Sequence, residues 1–526
     1  VAENGIEYNL GNTIQNAGSH KLNASLSMTS LYKYLGLTSD ATTKKPVAKP
    51  APPKPGEKIT AVRPQITKEQ GVFVKGLIGV LTSVKNIQVD YTQSGGTVLP
   101  GYTPGLGFFG TSKPTLGFVF GSQDDIRFEA AKNGWLTDYP EFNQNFTQVV
   151  NKNLKYNATV DLFPDFKIDI TGDRLYASNF SEQYDVSNGV YNSRSPYSFG
   201  NFSISTIMLK TSFKKSDENM SQAFEDFREN RLIIANRLAA IHYGGTAFPT
   251  DAEGYPVGFG KNTQSVLLPS FLAAYTGFSG TGYGEAAKGI SLSAFKNIPL
   301  PNWNVKYSGL MRYKFFKDKF KRFSLQHNYK ASYTLNSFRS NLEYDKDPNG
   351  TDVSGNFRSS TIIGNANLVE QFSPLIKIDF ELKNSFKFLV EMKKDRALSM
   401  SFDNNLLTEV KGIEYSVGMG YRIKDVIFTS AYASDPSGVI KGDINLKADF
   451  SYRNNKTIVR YLDYDNNQLG GGQNIWSVKV TADYALSKNL TAIFFYDHSF
   501  SKAVISTSFP LTNIRSGFTL RYNFGN

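Results

Sequence analysis

The side chains best suited to chemistry are scattered along this chain. Its four histidines, His20, His242, His327 and His498, lie far apart. None is paired with another at a metal-ligand spacing, and no H-E-x-x-H or G-x-S-x-G run occurs. The absence of cysteine removes thiolate nucleophiles, thiolate metal sites and disulfides. The glycines of Thr97–Gly121 form no G-x-G-x-x-G between a strand and a helix, so this stretch reads as an ordered loop rather than a nucleotide cradle. Asp379, Glu381 and Glu391 alternate with lysines and read as solvated wall charges. A catalytic carboxylate pair needs a fixed separation across a substrate, which this pattern does not set. No catalytic, cofactor or metal site is expected, and no enzymatic activity. The net charge of +12 comes from Lys and Arg spread along the chain rather than clustered, which argues against nucleic-acid binding.

The elements around these residues carry more information. From Leu375 to Ile423 the chain reads in steps of two. Ile376, Ile378, Phe380 and Leu382 alternate with Lys377, Asp379, Glu381 and Lys383. After Asn384-Ser385, Phe386, Phe388, Val390 and Met392 continue the pattern, through Leu398, Met400 and Phe402. Beyond Asn404-Asn405 the parity switches to Leu407, Ile413, Tyr415, Val417, Met419, Tyr421 and Ile423. A hairpin turning at Asn404-Asn405 would pair Phe388 with Tyr421, Val390 with Met419 and Met392 with Val417. Each arm has about eighteen residues, roughly three times a usual strand. One apolar and one charged face on arms this tall suit a barrel wall between hydrocarbon and water. An antiparallel sheet packed on a soluble core has the same period.

Composition agrees with the barrel. Aromatics make up 14% of the 526 residues, with 40 Phe and 29 Tyr, as aromatic girdles would require. Mean hydropathy is −0.33 and no run is long and apolar enough for a spanning helix. Val1-Ala2-Glu3-Asn4 does not begin a signal peptide, so an outer-membrane chain is expected to be processed or a fragment.

In order, residues 1–43 hold a first strand (Leu22, Ala24, Leu26, Met28, Leu31) ending near Tyr32. Residues 44–66 form a Pro/Lys-rich linker. Residues 67–93 hold a short helix (Thr67–Thr82) and a strand (Val84–Thr92). Residues 94–300 carry barrel strands and a long insertion. They include a hairpin about Pro164-Asp165, a strand Asn201–Phe213, and one helix, Asp217–Tyr243, capped by Ser216. Its residues Phe224, Phe227, Arg231, Ile234 and Leu238 mark a plug or lid candidate, or else a buttress. Residues 301–526 form a regular meander, with tight turns at Asn384-Ser385, Lys424-Asp425, Asn454-Asn455 and Ser487–Asn489. Longer loops lie mostly at the other end. Roughly sixteen strands are expected in all. The last strand, with Phe518, Leu520, Tyr522 and Phe524 in alternation, has the form of a barrel-insertion signal.

Several runs resemble the C-terminal portion of the SprA/Sov family, the outer-membrane translocon of type IX secretion in Bacteroidota. They are GTVLPG at 96–101, AFEDFRENRLIIANRL at 223–238, Gly254-Tyr255-Pro256, VLLPSFLAAYTG at 266–277, IPLPNWNVKYSG at 298–309, QFSPLIKI at 371–378 and YSVGMGYRIKD at 415–425. The resemblance implies a giant barrel through which folded proteins pass. It also implies a PorV-type lateral partner, plug and periplasmic components, and secreted cargo proteins. Family members are several times longer, so the remaining, larger portion of the barrel is an expected partner.

The expectation is thus an all-β fold, a segment of a transmembrane antiparallel β-barrel with an inserted loop and helix region, multi-pass in the outer membrane. Ile378, Phe380, Phe388, Val390, Val417, Met419 and Tyr421 should face the lipid bilayer. The Asp217–Tyr243 helix should lie inside the barrel or across its periplasmic mouth. The edges near Lys21–Tyr32 and Ser516–Phe524 should pair with the missing part. A TonB-dependent or other substrate-specific transporter barrel and a surface β-adhesin are the alternatives.

Overall fold

Period-two alternation sustained over twenty residues leaves the backbone one regular option, a tall ladder. The computed structural model describes residues 2–3, 6–35, 82–105, 114–277, 284–429, 439–486, 489–505 and 509–524. Thirteen strands of this region follow one another in a single antiparallel sheet. They are β1 (Asn12–Ser27), β2 (Val84–Tyr102), β3 (Phe146–Phe163), β4 (Phe166–Ser187) and β5 (Val190–Ser205), then β7 (Phe320–Ser340), β8 (Asn365–Leu382) and β9 (Lys387–Ser401). The path continues through β10 (Leu406–Thr429), β11 (Val439–Tyr461), β12 (Gln468–Ala485), β13 (Leu490–Ala503) and β14 (Leu511–Tyr522). A shorter strand, β6 (Asn302–Tyr307), pairs with β4 and β7 on the same row as β5. The linker at 44–66 and most of the helix expected over Thr67–Thr82 lie outside the described residues.

Several local expectations change. The first strand ends at Ser27, and Met28–Tyr34 is helical. The strand from Val84 runs on to Tyr102, because Gly95 to Val98 keep ladder partners on both sides. The strand expected over Asn201–Phe213 stops at Ser205 and is followed by a helical turn at Leu209–Ser212. The hairpin after β9 closes with four residues rather than two. It pairs Phe388 with Met419, Val390 with Val417 and Met392 with Tyr415. A two-residue turn of the favoured type needs two positive φ angles, and here only Asn405 (φ 49°) has one. The register therefore moves by two residues, which keeps every side chain on its face. Lys424-Asp425 is not a turn: Asp425 (φ 56°) sits at a bulge within β10. Asn454-Asn455 is not one either, since both residues are paired within β11. Loop lengths are not cleanly sorted by end. Asn188-Gly189, both with positive φ, form a tight turn at the same end as the loop after β9.

The long insertion interrupts a strand row. β5 stops at Ser205 and β6 resumes the row at Asn302. Ser205 O accepts from Leu300 N (3.0 Å) and Ser205 Oγ donates to Leu300 O (2.7 Å), closing the insertion at its base. Within it, helix α1 (Gln222–Tyr243) begins after Ser221, in extended backbone, and ends at the left-handed Gly244 (φ 72°). The expected start at Asp217 is replaced by a turn in which Asp217 accepts from Asn219 N and Met220 N. Helix α2 (Gln264–Thr276) was not expected, since it lies in Gly- and Pro-rich sequence and contains Pro269. It is apolar all round and buried along Val266–Tyr275, as a helix hidden on every side should be.

Phe224, Phe227, Leu268, Phe271 and Leu272 of the two helices form one core with the sheet. The sheet contributes Ile204 of β5, Tyr333 of β7, Leu368 of β8, Met400 of β9 and Leu407 of β10. The insertion thus lies across one face of five strands as a helical cap. Phe271 is fully buried, with its ring 5.7 Å from Phe227 and 5.4 Å from Tyr275. Phe271→Ala should cost about 3–5 kcal/mol. Trp303, stacked on Tyr329 at 4.4 Å, reports on this core. With Trp135 and Trp476 changed to Phe, its fluorescence should move to a lower urea midpoint in the variant.

Candidate membrane-facing surface

The ladder registers fix which side chains share a face. On one face a row runs across seven strands: Ile378, Val390, Val417, Phe450, Val478, His498 and Ile514. The next row runs through Phe380, Phe388, Met419, Ala448, Val480, Tyr496 and Ser516. Apolar side chains dominate both rows, and several stand open: Val390 is 42% exposed, Met419 50% and Phe450 46%. The opposite face is mainly polar and charged, with a few apolar side chains such as Leu389, Val410 and Phe495 among them. There Asp449, Lys479, Asp497 and Arg515 face one another across four strands, and Arg515 pairs with Asp497 at 2.8 Å. A second ladder runs from Lys393 to Glu414 (3.1 Å), Arg453 (3.1 Å) and Asp395 (2.9 Å). Gly412 lies beside it because a Cβ there would come within 3 Å of Asn455, Arg453 and Asp395.

Aromatic rings border the apolar belt on both sides. Near the turn between β8 and β9, stacked pairs join Phe323 to Phe380 (6.0 Å), Phe380 to Phe388 (5.2 Å) and Phe386 to Tyr421 (4.1 Å). Higher on the strands, Tyr415, Tyr452, Trp476 and Phe500 are direct cross-strand neighbours, with Trp476 5.2 Å from Tyr452 and 5.4 Å from Phe500. Tyr415 to Tyr421 is six residues and Trp476 to Tyr484 is eight, which is about 20–27 Å along a strand. With barrel strands tilted about 35–45°, this is a height of about 15–20 Å, somewhat less than the apolar band of about 25 Å in a membrane barrel.

All seven expected belt residues, Ile378, Phe380, Phe388, Val390, Val417, Met419 and Tyr421, share this face. Phe518, Leu520 and Tyr522 of β14 lie on it as well, each more than half exposed, and Phe524 follows the strand at 94% exposure.

The helical cap occupies the same face. Above Met392, the even positions of β9 are Lys394, Arg396, Leu398 and Met400, and the last two are buried beneath the helices. A lumenal α1 and a lipid-facing belt therefore exclude one another. Phe224, Phe227 and Ile234 are fully buried in packing, and Leu238 packs against a neighbouring cluster. Arg231 reaches Asn262 Oδ1 (3.2 Å) and the Leu462 carbonyl (3.4 Å). These side chains pack the helix onto the sheet, on the same face as the apolar belt.

Two buried ion pairs fasten the cap. Glu370 and Arg396 are cross-strand neighbours paired at 3.1 Å. Ser212 Oγ (2.5 Å) and Tyr329 OH (3.0 Å) also donate to Glu370, and Arg396 donates to Thr211. Arg460 and Glu409, both almost wholly buried, pair at 3.0 Å. Ser216 Oγ donates to Glu409, and Arg460 donates to the Asp217 carbonyl. Sequence reasoning missed all four charges. The available signal was a charge on the apolar parity, such as Glu370 between Leu368 and Phe372.

The histidines stay apart. His20 is exposed, His242 lies against Phe357 (4.1 Å), His327 contacts the Leu375 carbonyl (2.6 Å) and His498 faces Tyr496 OH (3.4 Å). Among the described residues no group of His, Asp and Glu could hold a metal ion, and no helix is long and apolar enough to cross a membrane. A scan against protein-family models and a search of curated proteins find no match to this chain.

At the base of the cap, a cavity of about 560 Å³ opens between the insertion and the sheet, lined by Ile204, Leu272, Ile290, Phe295, Lys296 and Tyr333 among others. Burial there, and then the nearby Arg237 cation, lower the Lys296 ammonium to about 8. A cation disfavoured by folding weakens the fold wherever the unfolded chain still binds its proton. Cap stability should therefore rise as pH climbs from below 8 towards the ordinary lysine value. Lys296→Met should flatten that rise in thermal melts read at Trp303.

Proposed function

We propose that this chain is a wall segment of a transmembrane outer-membrane β-barrel and forms part of a protein-conducting translocon of the type IX secretion kind. One observation carries the membrane reading. From β8 to β14 one face is an exposed apolar belt between two aromatic rows, while the other is charged and ion-paired. Hydrocarbon suits the first face and an aqueous lumen suits the second. The strands exceed the belt: β10 has 24 residues, about 80 Å when extended, so the wall continues beyond the bilayer. The helical cap then stands on the outer side of the wall, above the outer leaflet, and leaves the lumen free. A wide aqueous lumen lined by both signs of charge suits passage of folded proteins.

The translocon reading rests on the resemblance of the runs quoted above, several of which fall on built elements. AFEDFRENRLIIANRL is α1, VLLPSFLAAYTG is α2 with its cap, and IPLPNWNVKYSG closes the insertion and forms β6. The proposed partners are the larger remainder of the barrel, a PorV-type lateral subunit, plug and periplasmic components, and the cargo. Among the described residues β1 and β14 are each paired on one side only. Bare ladder edges in hydrocarbon cost several kcal/mol per group, so both edges should pair with the rest of the ring.

Arginine substitution tests the belt. Val417→Arg should cost about 2–4 kcal/mol in the bilayer, whereas Ser416→Arg, on the polar face, should cost little. Equal losses in folding titrations from lipid vesicles would sink the assignment. The position of the cap is tested separately by deleting residues 206–301 with a short Gly linker. Permeability to large antibiotics should not rise in cells carrying the folded, inserted variant. A rise would return the cap to the lumen. The translocon reading itself predicts that depleting the protein traps cargo in the periplasm, and normal export would refute it.

A further inference from the structure

We infer that the boundary between the belt and the cap is a binding site for the phosphate group of a membrane lipid. This rests on the membrane reading above. Arg396, Lys411 and Lys456 are direct cross-strand neighbours on the apolar face of β9, β10 and β11. Like charges placed opposite one another on a sheet destabilise it unless something neutralises them. Arg396 is neutralised by Glu370, and Glu409 is engaged by Arg460. No side-chain hydrogen bond or ion pair reaches Lys411 or Lys456 among the described residues.

The neighbourhood is a recess rather than a flat surface. A cavity of about 320 Å³ lies where the 212–217 segment of the cap leaves the sheet. Lys214, Lys215, Lys394, Arg396 and Lys411 line it, against the two carboxylates Asp217 and Glu409. Asp217 is engaged by Lys215 (3.1 Å) and Glu409 by Arg460 through Oε2, while Glu409 Oε1 is buried without a partner. Lys394 is tied to the Ser212 carbonyl (2.6 Å), and the buried Nε of Arg396, which is only 6% exposed, has no hydrogen-bond partner. The surplus positive charge therefore belongs to Lys214, Lys411 and the adjoining Lys456.

Height selects the anion. Lys411 is four residues above Tyr415 of the upper aromatic row, about 13 Å along the strand. Aromatic rings mark the edge of the hydrocarbon, and the phosphates of a leaflet lie just beyond it. A lipid whose chains lie along the belt would carry its phosphate up to Lys411 and Lys456, and the cap would roof the site through Lys214. Free phosphate has the same chemistry without the chains, so the test must separate the two.

The protein, purified with its complex in mild detergent, is placed in phosphatidylcholine nanodiscs containing phosphatidic acid or diacylglycerol, and bound lipid is counted by native mass spectrometry. Failure to enter pure phosphatidylcholine discs would sink the membrane reading. Given entry, phosphatidic acid should be retained at least ten-fold over diacylglycerol. Lys411→Gln/Lys456→Gln should abolish that preference, while Lys447→Gln/Lys479→Gln on the polar face should preserve it. In lipid-free detergent the first pair should melt at or above the wild type, because it removes a like-charge contact. A lower melting temperature there would make the lysines structural and overturn the site. An equal preference in that variant would overturn it too. Displacement of the lipid by millimolar inorganic phosphate would reassign it to a soluble anion.

Discussion

A β-ladder fixes the side of every residue it contains, and the rest of this molecule depends on that constraint. Once Val390 is placed on one face, the register carries the choice to Val417, Phe450 and Val478, and up the same strand to Leu398 and Met400. That face is therefore mainly apolar above and below a charged band at Lys394, Arg396, Lys411 and Lys456. The upper part is covered by the helices. The lower part stays open within this chain and is flanked by aromatic rows. Helices cover the upper part over five strands, and on the membrane reading proposed above hydrocarbon would cover the lower part. The register places the cap and the belt on one side of the sheet, which reasoning about the helix alone could not do.

The change of cover falls where the charges are. Glu370, Arg396, Glu409 and Arg460 sit on the apolar parity beneath the cap, Arg396 level with Lys411 and Arg460 two rows above it, level with Leu407. Isolated buried charges would be untenable there. Each is matched by its opposite and by groups from the 211–217 segment, namely Ser212 Oγ, the Thr211 carbonyl, Ser216 Oγ and the Asp217 carbonyl. A pair of this kind adds little net stability over apolar packing, but losing one partner is costly. What it supplies is position. The apolar helices could slide on an apolar sheet, whereas the segment that satisfies two buried pairs has one seat.

Much of the sheet was legible because it depends only on alternation. The belt residues, the strands from Phe320 onward and the hairpin about Pro164-Asp165 follow from period two. Register was less legible: placing the turn at Asn404-Asn405 misses that only Asn405 adopts positive φ, and no pattern of apolar residues reports a shift of two. Asn454-Asn455 and Lys424-Asp425 have the composition of turns yet lie within strands, because neighbours on both sides hold the backbone extended. Helix α2 was hidden by Pro269 and by the glycines around it. Its wholly apolar sequence has no amphipathic period to read, since all its sides are buried. The cap's side of the sheet was unreadable for a different reason. The wet face of α1 suggests water, and on the membrane reading proposed above water would lie outside the wall above the bilayer as well as within it.

The way the cap is attached follows from the same constraint. An insertion placed in a loop at a strand end would hang beyond the sheet and would have to fold back to cover its face. Here the chain leaves between β5 and β6, part-way down a row, on a level with the apolar positions Ile204 and Tyr329 that it covers. Interrupting a strand normally forfeits ladder hydrogen bonds. The loss is limited because Ser205 and Leu300 bond to each other, Asn302 Oδ1 accepts the amide of Ala331, and β6 resumes pairing with both neighbours at once. The wall remains continuous from top to bottom while a domain of nearly a hundred residues issues from its middle. A cap rooted at that height keeps the apolar side chains it covers dry, leaves the belt below it uncovered, and places its own polar base between the two.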